Sequence, residues 1–226
     1  MEARAKQYED FQAQLNDLKK EFQGIVNLDN EFKGAGAEAI KDFFRAQIDV
    51  VDAWLRLAER QIAFFKSVKG KAEQLKLGGN TVVHVDFLEN ELFNADRRSR
   101  DIVEAQKEDL QKIFDDISDI VDLKVFSTEN FEKEMNHAEK KRTETIQNVN
   151  LLDQELVKEY EESEHEEQFA RKLYKEVINA TRRGGTVSPI HFDAAAYHGS
   201  EVYQIIEEEK QRTAAYLEKK EEEATG

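Results

Sequence analysis

Tyr8, Phe11, Leu15, Leu18, Phe22 and Ile25 recur at spacings alternating three and four. That interval places them along one narrow stripe of a helix, the seam of paired helices rather than a broad core. The stripe then meets "LDNEFKGAGAEAIKDFF", Leu28 to Phe44, where Gly34 and Gly36 fall between two periodic patterns. Glycine takes positive φ at little cost, so the chain can reverse there. A second helix is predicted from about Ala37, with Ile40, Phe43, Phe44, Ile48, Val51, Trp54, Leu55, Ala58, Ile62 and Phe65 on a wider stripe. One side of that stripe can face the first helix; the other needs a different cover.

Further along, Gly70 weakens the second helix, and Gly78 to Asn80 form a turn or hinge. Thr81 to Val85 has strand character but reads as an extended connector, with Asp86 as N-cap of a third helix. That helix is predicted to run to about Leu123, and "FSTENF" restarts the next one with Ser127 or Thr128 as cap. The fourth helix is predicted from about Glu129 to Ala180, on the order of 75 Å if unbroken. Its seam takes in Phe131, Met135, Ile146, Leu152, Leu156, Phe169, Leu173 and Val177, while Glu159 to Gln168 reads as a solvated section or kink. Arg182 to Asp193 holds the single proline, Pro189, and is the clearest break; a last helix follows from about Ser200 to Glu222. The expected fold is all-α: elongated antiparallel helical hairpins in a long-helix bundle. Its segments are a hairpin at 1–77, a long helical pair at 81–182, and a connector with C-terminal helix at 183–226.

Composition agrees and excludes several functions. The 226 residues carry 33 Lys+Arg against 48 Asp+Glu, a net charge of -15, with one Pro and no Cys. Few helix breakers and many Ala, Glu, Lys and Leu describe helices. The acidic balance disfavours phosphate contacts with nucleic acid and docking to anionic lipid. No apolar run approaches the roughly 20 residues of a membrane span, so no direct membrane insertion is expected. "MEARAKQYEDF" lacks the basic-then-apolar layout of a Sec signal peptide. Without cysteine there are no disulfides and no thiolate metal sites.

Nothing in the chain forms a catalytic motif or a cofactor site. His84, His137, His165, His191 and His198 make no H-E-x-x-H, and His191 and His198, near Asp193 and Glu201, read as surface or capping residues. The aromatic stripe is open to two readings. Leu15, Leu18, Phe22, Ile25, Phe43, Phe44, Trp54 and Leu55 can bind a partner, helix against groove, or form ordinary core.

"LDNEFKGAGAEAIKDFF", "FLENEL" (Phe87 to Leu92), "DISDIVDL" (Asp116 to Leu123) and "SPIHFDAAAYHGSEVY" (Ser188 to Tyr203), in that order, resemble the LXG domain of Gram-positive bacteria. The resemblance implies a non-catalytic N-terminal module of a polymorphic toxin exported by the type VII secretion system. It also implies kinship with the WXG helical hairpins, so that Phe32, Gly34, Gly36 and Ala37 form the hairpin turn, with Lys33 between the first two. Small helical WXG-like partner or chaperone proteins and the secretion machinery are the implied partners. The implied location is cytoplasmic before export and secreted afterwards. The chain's opening is shorter than the family's usual lead-in, and a toxin domain is expected beyond Gly226. Type VII substrates often carry Y-x-x-x-D/E, which Tyr160 with Glu164, Tyr197 with Glu201 and Tyr203 with Glu207 match. The competing reading is a self-associating coiled-coil scaffold with no secretion role, which predicts heptads continuous through all the helices.

Overall fold

A computed structural model describes residues 1–28, 32–80 and 82–225. The protein is all-α. Its main helices are α1 (Glu2–Val26), α2 (Ala35–Gln74), α3 (Phe93–Asp116) and α4 (Glu129–Thr181). The short α5 (Ala194–His198) and α6 (Glu201–Gln204) precede α7 (Ile206–Thr225). A π-helical segment, Phe87–Leu92, leads into α3.

Local chemistry sets most boundaries. α2 closes with Lys76 in the left-handed region at φ 59, where Leu77 N–H donates to Ala72 O at 2.8 Å and Lys76 N–H to Glu73 O at 3.0 Å. Those two bonds are the paired closure of a Schellman end, here with lysine where glycine is usual. Ser127 Oγ accepts from Glu129 N at 3.3 Å at the start of α4. Asp86 is not a cap: its backbone is already helical and its side chain accepts no capping bond. α3 also stops earlier than Leu123, at Asp116, and 121–128 has no regular structure.

The break after α4 is a tight antiparallel β-hairpin, β1 (Arg182–Arg183) with β2 (Thr186–Val187). Gly184 and Gly185 both have positive φ, 58° and 86°, as the two-residue hairpin turn requires. Pro189–His191 makes one 3₁₀ turn, and Asp193 Oδ1 caps α5 by accepting from Ala196 N at 3.0 Å. The single last helix expected from Ser200 is divided, because α6 ends at Gln204, with Ile205 as its C-cap, before α7 begins at Ile206.

The chain divides into two compact units, one of residues 1–71 with 155–226 and one of 72–154. The cuts at 77 and 182 expected from sequence follow chain order; packing instead joins the first 71 residues to the last 72 in one core. In that unit Ala46, Val50 and Ala53 of α2 meet Phe169, Ala170, Leu173 and Val177 of α4, closed by Phe192 and Tyr197. Burying each large side chain here contributes about 1.5–3 kcal/mol. A smaller cluster joins Leu15 of α1 to Val51 and Leu55 of α2. The second cover that the wide α2 stripe needs is therefore the C-terminal part of α4 with the returning segment.

In the unit of 72–154, α3 runs antiparallel to the beginning of α4. Arg100 pairs with Glu132 at 2.7 Å and Glu139 at 3.4 Å, and Arg142 donates to Leu88 O at 3.2 Å with its guanidinium over the Phe93 ring. None of its described residues is buried.

Candidate functional site

The α1–α2 hairpin is built around the glycine pair. Gly34 has φ 104 and its carbonyl accepts from Glu38 N at 3.0 Å, opening the first turn of α2. Gly36 lies inside that turn, where an added Cβ would meet Ile190 at 3.1 Å. Phe32 sits in a bend before it, and Ala37 is buried. Asp29 to Glu31 lie outside the described residues.

α1 runs antiparallel along α2. Tyr8 stacks with Phe65 at 5.9 Å, Gln12 Nε2 donates to Glu59 at 3.2 Å, Lys19 pairs with Asp52 at 2.6 Å, and Phe22 meets Phe44 at 5.2 Å. The α1 seam therefore splits. Its Tyr8, Leu15 and Phe22 row faces α2. The alternate row, Phe11, Leu18 and Ile25, also repeats every seven residues and is left partly uncovered. Phe11 and Leu18 are exposed, Leu18 at 42%, and Ile25 is half-buried.

The other candidate partner residues lie mainly inward. Leu15 and Leu55 are buried together, flanked by Phe22 and Trp54. Trp54 also packs on the larger core, as does Phe43, which meets Phe192 at 6.0 Å and Phe44 at 5.3 Å. Among the three tyrosine–glutamate pairs, only Tyr160 and Glu164 share one helix, α4. Tyr160 is 44% exposed with its ring against Phe64. Tyr197 is 1% exposed in the core, donating to Asp49 Oδ2 at 3.3 Å, and burial pushes its phenol far above the ordinary range. Tyr203 is half-buried, its ring 5.0 Å from that of Tyr197, and Glu201 and Glu207 are exposed.

One reading from sequence is corrected. The run Glu159 to Gln168 is not simply solvated, because its inner face is a polar seam between α2, α4 and α7. Arg60, 3% exposed, donates to Glu166 at 3.2 Å and to Glu162 at 3.1 Å, and lies over the Tyr216 ring at 3.9 Å. Gln61 donates to Ser163 Oγ at 2.8 Å. Glu159 takes bonds from Lys71 and Lys220, both 2.6 Å, and from Tyr216 Oη at 2.5 Å. His165 pairs with Glu209 at 2.8 Å, and Thr213 Oγ1 donates to Glu166 at 3.2 Å.

The two acids titrate in opposite directions. At Glu159 burial opposes ionisation, but the bonds from Lys220, Lys71 and Tyr216 outweigh it and hold the pKa below the ordinary value. At Glu166 burial prevails over Arg60 and Thr213 and raises it. The signal for the seam was periodicity. Leu156, Glu159, Ser163, Glu166, Ala170, Leu173 and Val177 continue one stripe at spacings of three and four. Among the described residues no group of three or more His, Cys, Asp or Glu is placed to hold a metal. No helix among the described residues is long and apolar enough to cross a membrane.

Residues 1–190 match the family described as the LXG domain of the WXG superfamily. The chain belongs to the LXG family. A relative named Toxin YwqJ, from Bacillus subtilis (strain 168), is 38% identical over 222 residues, which cover 98% of this chain and 37% of the relative. This LXG chain thus spans little more than a third of that relative's length. No solved structure matches it.

Proposed function

We propose that this chain is the N-terminal targeting region of an LXG toxin, acting by association rather than catalysis. It docks small helical WXG-like partners, is cytoplasmic before export, and leaves the cell by the type VII pathway. Toxic activity resides in a separate C-terminal domain. The observation that carries this reading is the pair Phe11 and Leu18, exposed one heptad apart on α1, with half-buried Ile25 continuing their row. Its neighbouring row already holds α2, so a further helix laid along α1 would complete the seam at the shallow crossing angle of such bundles. Leu15, Phe22, Phe44, Trp54 and Leu55 hold α1 against α2, and Phe43 packs on the larger core. Tyr160 with Glu164 is the preferred export signal, since both groups stand on one helix with the tyrosine ring accessible.

Co-expression with the small helical proteins encoded beside the gene tests the docking surface. A stoichiometric complex is expected with the wild type and not with F11S/L18S. Both residues are more than a third exposed and belong to neither buried cluster, so the variant is expected to keep its fold at a cost of about 1–2 kcal/mol, which circular dichroism and a thermal melt check. A wild-type chain that remains a monodisperse monomer beside those proteins, or a complex indifferent to F11S/L18S, overturns the reading.

A further inference from the structure

The unit of 72–154 carries an apolar surface that its own helices leave uncovered. Within 113–126, where the α3–α4 pair turns back, Ile113, Ile120, Val121, Leu123 and Phe126 are all exposed, Ile120 at 81%. Exposed apolar side chains scattered singly mean little, but four aliphatics and one phenylalanine uncovered within fourteen consecutive residues concentrate apolar surface at this turn. The same stretch repeats a triplet: "DIS", "DIV" and "DLK" follow one another from Asp116 to Lys124. Each triplet sets a carboxylate beside an aliphatic side chain. Asp116, Asp119 and Asp122 are exposed and, among the described residues, have no basic partner in a salt bridge. Acids elsewhere in this unit do find cations, as Asp96, Glu132 and Glu139 find Arg100.

Alternating apolar groups and unneutralised carboxylates select the chemistry of what covers them. We propose that this tip is a second docking surface, distinct from the α1 row, for a basic amphipathic segment of a partner protein. The partner's aliphatic face covers Ile120, Val121 and Leu123, and its Lys or Arg side chains meet Asp116, Asp119 and Asp122. Charge argues against the other occupants. A second copy would bring like carboxylates together on a chain of net charge -15. An anionic lipid surface would be repelled for the same reason. The proposal does not depend on the α1 surface.

The test uses the full chain with a Leu/Lys amphipathic helical peptide carrying a photo-crosslinker. The expected crosslinks fall within 113–126. Affinity is expected to drop about tenfold in I120S/L123S, which keeps every charge, and by a similar factor in D116N/D119N/D122N. Because Ile120 and Leu123 are exposed, both variants should melt like the wild type, and circular dichroism checks this. Crosslinks spread over the acidic surface, equal binding by I120S/L123S, or equal binding of a Leu/Glu peptide would overturn it. So would tip-dependent binding to phosphatidylglycerol vesicles, or a dimer in sedimentation that I120S/L123S abolishes.

Discussion

Arg60 of α2 donates to Glu166 of α4 at 3.2 Å across 106 positions of sequence, and both side chains are buried. Removing either partner alone strands a charge away from water, which costs far more than the pair contributes. Arg60→Met is therefore expected to destabilise the unit by about 3–5 kcal/mol, whereas R60M/E166L recovers most of that loss. Denaturant unfolding of the single and double variants measures it. Additive losses would show that the two side chains act independently.

The seam also fixes how stability depends on pH. The folded pKa of Glu159 lies below its unfolded value, so its contribution is present above about pH 4.3 and lost as pH falls through the folded value. Glu166 has the opposite sign: its raised pKa means that stability is lost as pH rises from about 4.3 through the folded value. E159Q should flatten the acid side of the curve and E166Q the rise-and-lose window above it. Urea midpoints from roughly pH 3 to 7 read both effects. A wild-type acid slope retained in E159Q would remove Glu159 from the account.

The two turn glycines should respond differently to alanine. At Gly34 the space is open but φ is 104, so a side chain is strained by about 1 kcal/mol or more. At Gly36 the backbone is helical, and the close neighbour is the tip of Ile190, an exposed side chain able to turn aside. Gly36→Ala is expected to leave stability unchanged or raise it by up to about 1 kcal/mol. Thermal melts of the two variants decide the order, and a larger loss at Gly36 would mean that Ile190 cannot yield.

These contrasts show what a single sequence carries. The α1 stripe and the glycine reversal were legible because they depend on neighbours three and four residues away. The polar seam was not, because the partners of Glu159 are Lys71, Tyr216 and Lys220, distant in sequence and brought together only by packing. An acidic run looks solvated until its cations are in place. The phase was still available, since Glu159, Ser163 and Glu166 keep the register of Leu156 and Leu173. The division of the α1 seam was equally hidden. Spacing puts Phe11 and Leu15 on one stripe, and only the position of α2 decides which row is covered.

The tyrosines separate structure from recognition. Tyr197→Phe removes the bond to Asp49, a carboxyl whose pKa burial already raises, and should cost about 1–2 kcal/mol. Tyr160→Ala removes a half-covered ring from Phe64 and should cost about 1 kcal/mol, while reducing export by more than that loss explains. Secretion and melting measured together separate the two. Export lost in Y160A only in proportion to lost stability would assign Tyr160 a structural role.

The most direct test of the targeting account is the fraction of the toxin found in the culture medium of a producing strain. Wild-type protein is expected outside the cell only when the type VII machinery is intact, and F11S/L18S is expected to remain inside although folded. Equal release by the variant, or release by a strain lacking the machinery, would contradict the account.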